Sequence, residues 1–301
     1  MPTDRDQKYD RARGCILGGA VGDATGGAFE GQTGPVKFGD HREWRISDDT
    51  QLTLATCESI IEVRGVVDPE HIAGRFVHWF RERRITGMGG STLKALRDLD
   101  AGLHWALAGA KGEMAAGNGA AMRIAPLAFH LNPKEDRQVI RDVCRLTHHN
   151  EEAYAGALAV ALAIRYLAFD QTAEPAKLLD HVLQHLPDSR VRDRIEELNK
   201  LDGERSVAEV GTVFGSSGYV VESVPLALYA ARLSEHLPFD QVLRSAIEPG
   251  GDTDTVASIT GQVAGAWIGA QQIPRTLIDS LPDAQSIERI TDEFAQTLQS
   301  T

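Results

Sequence analysis

Glycine recurs every fourth residue at Gly14, Gly18, Gly22 and Gly26, among Ile16, Leu17, Ala20 and Val21, and again at Gly261, Gly265 and Gly269. Residues four apart share one face of an α-helix, so each run is a stripe without side chains against which another helix can pack closely. Alanine repeats the spacing at Ala153, Ala157 and Ala161. In a bilayer such stripes mark dimerising helices. This chain has 25% charged residues and no run of about 18 apolar residues, so the stripes predict the core of a tight water-soluble bundle. A phosphate-loop reading of the same glycines fails, because there is no Gly-x-Gly-x-x-Gly and no Lys-Ser/Thr after them.

The rest of the chain repeats the helical message. Apolar spacing predicts helices over residues 50–64, closed by Gly65, and over 69–84, where Ile72, Phe76, Trp79 and Phe80 form a core stripe. Further helices are expected over 93–99, over 144–167 starting near Thr147-His148-His149-Asn150, once or twice in 174–200, and over 221–233, 239–247, 254–270 and 284–298. Residues 31–46, with Gly34-Pro35 and Gly39-Asp40, read as a loop, and about 200–210 as a polar linker. Three glycine-rich loops, around Gly87, around Gly117-Asn118-Gly119 and around Gly215 to Tyr219, allow close approach of backbone to a ligand or are plain surface turns. Alternating strands are missing. The expected fold is all-α, a single-domain multi-helix bundle over 1–301.

Charge and cysteine narrow the function. A net charge of −12 argues against binding a nucleic-acid backbone, which needs clustered Lys and Arg. The odd, widely spaced Cys15, Cys57 and Cys144 read as reduced core thiols. The N-terminus is polar and lacks the apolar stretch of an export signal, so a cytoplasmic protein with no membrane attachment is expected, acting as a monomer.

Two clusters of hard oxygen atoms stand at predicted helix starts: Ser47-Asp48-Asp49-Thr50 and Gly250-Gly251-Asp252-Thr253-Asp254-Thr255. Either alone reads as an N-cap facing the helix dipole. Together they could meet around cations, and carboxylate and hydroxyl oxygens suit Mg²⁺, Mn²⁺ or Ca²⁺ better than zinc. An EF-hand counted from Asp252 would need Gly at Ala257 and Glu at Val263, and an Asp-Asp-x-x-Asp motif would need an acid at Leu52; both fail.

Gly22-Asp23-Ala24 leading to Glu30, Ser47 to Thr50, Gly117-Asn118-Gly119-Ala120-Ala121-Met122-Arg123, Thr147-His148 and Gly250 to Thr255 occur in the order found in the ADP-ribosylglycohydrolase family, which the chain resembles over about residues 12–270. That family includes the dinitrogenase reductase-activating glycohydrolase and its animal relatives. The resemblance implies two divalent cations, Mg²⁺ or Mn²⁺, with Ser47, Asp48 and Asp49 as ligands from one side and Asp252, Asp254 and Thr255 from the other. It implies catalytic roles for Glu30, Asp48 and Asp49, with Glu30 activating water or assisting the leaving group. The Gly117, Asn118 and Gly119 loop would contact diphosphate and ribose, His148 the ligand, and Tyr219 the adenine. For His148 a polar cap, for Tyr219 plain core packing and for Asp23 a structural hydrogen-bonding role are the competing readings.

The implied activity is hydrolysis at the anomeric carbon of the distal ribose of ADP-ribose or an ADP-ribosylated substrate, through an oxocarbenium-like transition state. The chain departs from the dinitrogenase reductase-activating branch, which carries an aspartate where Gly87-Met88-Gly89-Gly90 stands here, and Met114-Ala115-Ala116 lacks the Ser and aromatic of some animal relatives. The acceptor linkage is therefore open. A catalytically idle binding or structural family member, and a hydrolase of a related nucleotide-sugar or N-glycoside, are the alternatives.

Overall fold

The two glycine stripes meet each other. In the computed structural model, which describes residues 4–38, 43–201 and 205–298, the N-terminal helix Asp4–Gly26 lies against Thr253–Ile268. A Cβ on Gly14 would stand 2.3 Å from the Gly265 carbonyl oxygen, on Gly18 2.3 Å from that of Gly261, on Gly22 2.1 Å from that of Ala257 and on Gly26 2.2 Å from that of Thr253. One numbering rises as the other falls, so the helices are antiparallel and touch backbone to backbone along their length. The C-terminal end of the first helix is thereby fixed beside the N-terminal end of the second, where the Thr253 hydroxyl donates to the Gly26 carbonyl at 2.8 Å.

Other helices wrap this pair. Glu151–Phe169, buried on nearly every side, packs on Thr253–Ile268 and Val220–Ala231, while Asp48–Glu62 packs on Pro69–Arg81 and Ala284–Thr297. The Glu151–Phe169 helix is long and apolar enough to cross a membrane by composition, but 83% of its apolar window is buried in the fold, as a core helix requires. One apolar core runs from Ala12 to Ala295, and Cys15, Cys57 and Cys144 lie in it as free thiols.

The all-α expectation holds, with differences of detail. Residues 144–167 are two elements: Arg137–Arg145 ends, His148–His149 pairs in parallel with Ala110–Lys111, and a new helix starts at Glu151. Asn150 makes that start, its side-chain oxygen accepting from the N–H groups of Glu152 at 2.8 Å and Ala153 at 3.1 Å. The expected linker before residue 210 already contains the helix Val207–Phe214, opened by a capping box of Ser206 and Glu209. The helix expected over 93–99 begins earlier, at Gly90. Gly39-Asp40 and the first three residues lie outside the described residues.

Candidate functional site

Where the two glycine-striped helices meet, their loops are tied together. Gly31 N–H donates to the Gly251 carbonyl at 2.8 Å and Gly251 N–H donates back to the Gln32 carbonyl at 2.9 Å. Gly250 and Gly251 take φ of 77° and 81°, and a Cβ on either would strike a backbone oxygen, Gln32 at 2.4 Å or Ser216 at 2.3 Å. Only glycine allows this closure, and it carries Asp252 and Asp254 to Glu30: one carboxylate oxygen from each lies within 4.8 Å of the others.

The third wall is the start of Asp48–Glu62. Asp23, fully buried on the first helix, accepts from Ser47 N–H at 2.9 Å, from the Ser47 hydroxyl at 2.9 Å, from Thr50 N–H at 3.1 Å and from the Thr50 hydroxyl. Asp23 thus clamps the N-terminus of the acidic helix from outside that helix. Ser47 is its N-cap, accepting from Asp49 N–H at 3.2 Å. Asp49 Oδ2 also accepts from the Thr255 hydroxyl at 3.2 Å, which joins the two oxygen clusters directly.

These residues and the glycine loops line one cleft of about 460 Å³, which brings Glu30, Asp48, Asp49, Asp252, Asp254 and Thr255 together with Gly117, Asn118, Gly119 and His148. Gly87, Gly89 and Gly90 form part of its rim, held to the acidic helix by Gln51, which accepts from Thr86 N–H at 2.7 Å. Ser47 faces a smaller adjoining hollow that shares Glu30, Gly87 and Asp254 with the cleft. Tyr219 is outside the cleft lining. Its backbone bridges Gly117, and its ring packs half-buried on the core.

Burial, with the neighbouring acids second to it, sets the electrostatics. Burial, then the Asp23 carboxylate, pushes Asp48 up to about 7. Burial, then the hydrogen bond to Asp252, pushes Asp254 up to about 9, and burial with Asp254 beside it holds Asp49 well above the usual carboxylate range. Asp49 Oδ1 is buried without a hydrogen-bond partner. Hard oxygens crowded at this density, one of them orphaned, make a donor set that fits divalent cations with oxygen ligands.

Asn118 lines the cleft and is also tied to one of its acids. Its amide N–H groups go to Asp252 Oδ2 at 2.6 Å and the Ser223 hydroxyl at 3.1 Å, so it orients a carboxylate and only its carbonyl oxygen is left for a ligand. His148 is buried in the cleft wall rather than in a helix's first turn, and burial, then Arg123, pushes its pKa down to about 3. Asp23 is the residue whose importance is least visible in the sequence, because its clamp spans 24 and 27 positions.

A family model described as ADP-ribosylglycohydrolase matches residues 4–301. The chain is 28% identical to ADP-ribosylhydrolase ARH3 of Homo sapiens over 346 residues, covering 97% of this chain and 93% of that protein. It is 27% identical to the ADP-ribosyl-[dinitrogen reductase] glycohydrolase of Rhodospirillum rubrum, covering 91% of this chain and 90% of that one. A solved structure described as an ADP-ribosylglycohydrolase-related protein complex superposes with a TM-score of 0.75 at 27% identity, covering 97% of this chain and 99% of that one.

Proposed function

The chain belongs to the ADP-ribosylglycohydrolase family, and from that membership we propose that it is a hydrolase releasing ADP-ribose from a conjugate by cleaving the glycosidic bond at C1 of the distal ribose. The observation that carries the reading is the convergence of Glu30, Asp48, Asp49, Asp252 and Asp254 on one cleft that the Gly117 to Gly119 loop also lines. The acids are all present and assembled, which favours an enzyme over an idle binding member.

Asp48, Asp49, Asp252, Asp254 and Thr255, with Ser47 at their margin, would hold Mg²⁺ or Mn²⁺. When bound, the cations would neutralise the acids and polarise the ribose hydroxyls. Glu30, exposed beside Asp252 and Asp254, would take the proton of the attacking water and return it to the acceptor atom as the bond from C1 to that atom breaks. The acids and the Gly117 to Gly119 loop would together hold the ribose with C1 turned toward Glu30, and Tyr219, whose backbone bridges Gly117 from the neighbouring Gly215 to Tyr219 loop just outside the cleft lining, would meet the adenine.

Incubation with Mg²⁺ and a panel of arginine-, serine- and nucleic-acid-linked ADP-ribose tests this. Free ADP-ribose is expected from at least one, and not after chelation by EDTA. Release from none of them, with ADP-ribose still bound in calorimetry, would make the chain a binding protein. Release that EDTA leaves unchanged would remove the metal from the reading.

A further inference from the structure

Arg123 is fully buried with no carboxylate partner among the described residues. Its Nη2 donates to the Val143 carbonyl at 3.3 Å and to the Thr147 hydroxyl at 2.7 Å, its Nε and Nη1 are buried without partners, and its guanidinium lies 4.9 Å from the Phe76 ring centre. A buried cation without a hydrogen-bonded carboxylate is costly to keep, so its placement asks for a use. Thr147 Oγ1 lies 2.8 Å from His148 Nδ1.

The hydroxyl proton sets the direction of that second bond: if Nδ1–H donated as well, Thr147 Oγ1 would accept twice and its own proton would have no acceptor among the described residues. A guanidinium can only donate, so Thr147 Oγ1 accepts from Arg123. The threonine has one proton to give, and His148 Nδ1 is the acceptor its hydroxyl meets among the described residues. Nδ1 is then unprotonated, and a neutral ring carries its hydrogen on Nε2. The other edge of the ring lies against the Gly117 to Gly119 loop: His148 Nε2 is 3.2 Å from where a Gly117 Cβ would be, and Cε1 is 2.9 Å from that of Gly119.

We propose that Arg123 and Thr147 are positioning residues that lock His148 as the Nε2–H tautomer, so that the cleft wall offers a fixed donor to an anionic oxygen of the ligand, in the class of a phosphate or diphosphate. The ligand half of this rests on the reading of the cleft as an ADP-ribose site. The lock itself does not. A neutral donor suits this wall, since a charged imidazolium would sit in the field of Arg123.

The test is long-range proton–nitrogen NMR on protein labelled with ¹⁵N-histidine, with His148 assigned by its loss in His148→Gln, for wild type, Thr147→Ser, Thr147→Val and Arg123→Met, beside calorimetric titration of ADP-ribose in Mg²⁺. Wild type and Thr147→Ser are expected to show Nε2–H alone. Thr147→Val and Arg123→Met are expected to show mixed tautomers and to bind ADP-ribose about ten-fold more weakly, the worth of one hydrogen bond. Nδ1–H in the wild type, or Nε2–H alone with wild-type affinity in folded Thr147→Val, overturns the proposal. If the tautomers follow the expected pattern while ADP-ribose binds none of the proteins, the lock stands and the ligand reading of the cleft falls.

Discussion

Asn118 donates its side-chain amide to Asp252 Oδ2 at 2.6 Å, across 134 positions of sequence. The contact joins the wall proposed for the ligand to the wall proposed for the cations, and the second bond, to Ser223, fixes the amide against rotation. Asn118→Ala is therefore expected to weaken Mg²⁺ binding about 10- to 100-fold, the usual cost of losing a group that orients a metal-binding carboxylate. Calorimetric titration of Mg²⁺ without ADP-ribose reads this directly. Unchanged Mg²⁺ affinity with weaker ADP-ribose binding would assign Asn118 to the ligand instead.

Asp254 gives a test of charge crowding. Burial and its acidic neighbours push its pKa up to about 9, so without cations the cluster opposes folding. Asp254→Asn is expected to melt higher than wild type in EDTA. In Mg²⁺ the order should reverse, because saturation at 100 times Kd stabilises the wild type by about 2.7 kcal/mol and the variant gains little. Asp254→Ala should abolish Mg²⁺-dependent release of ADP-ribose while circular dichroism stays helical. Equal Mg²⁺-induced shifts in wild type and Asp254→Asn would take Asp254 out of the cation site.

The close helix pair makes a stability prediction with an internal control. Gly22→Ala places a Cβ 2.1 Å from the Ala257 carbonyl oxygen, where only backbone can yield. Overpacking of this kind costs about 1–3 kcal/mol. Gly74, in the helix Pro69–Arg81, has nothing within 4 Å of its Cβ position, so Gly74→Ala should stabilise by up to about 1 kcal/mol. Urea denaturation compares the two. A Gly22→Ala protein as stable as wild type would mean that the helices can separate without loss.

These contacts also show which parts of the molecule the sequence discloses. The glycine stripes and the two oxygen clusters are local patterns, and local patterns predicted the bundle and the acids of the cleft. Pairing is not local: nothing in Gly14 to Gly26 says that the partner is Thr253–Ile268, and nothing near Asp23 says that it caps a helix starting at Asp48. The misread helix boundary at residues 144–150 has the same origin. Alanine-rich periodicity on either side hid a break whose signal was the Asn150-Glu151-Glu152 cap, and that break puts His148 into the cleft. The helix over residues 207–214 could have been found from Ser206-Val207-Ala208-Glu209.

His130 predicts a pH dependence away from the site. Burial, then Arg165, holds its pKa down at about 4, and its Nε2 lies 3.0 Å from the Thr297 hydroxyl. An unfolded histidine titrates near about 6.5, so as pH falls the unfolded chain takes the proton first. This contribution to stability is complete above about pH 6.5 and is lost as pH falls toward 4, at up to about 1.4 kcal/mol per unit. Subtracting the stability-against-pH curve of His130→Gln from that of wild type should leave a slope confined to that window. Parallel curves would show that His130 is free to protonate in the fold.

The rim of the cleft bears on the acceptor. Gly89 has φ −63° and ψ 159°, a conformation open to any residue, and its Cβ position meets nothing within 4 Å. Gly89→Asp is therefore expected to fold normally and to put a carboxylate at the edge of the cleft. A guanidinium leaving group would meet that charge and a serine hydroxyl would not. The ratio of kcat/KM for arginine-linked over serine-linked ADP-ribose should then rise by up to roughly five-fold, the worth of a part-exposed ion pair. Because the added group lies outside the acids, the serine-linked reaction should change little. A ratio that stays put in a folded variant would mean that the acceptor does not pass Gly89, and would direct the search to the hollow lined by Ser47, Thr86 and Arg45 on the other side of Glu30.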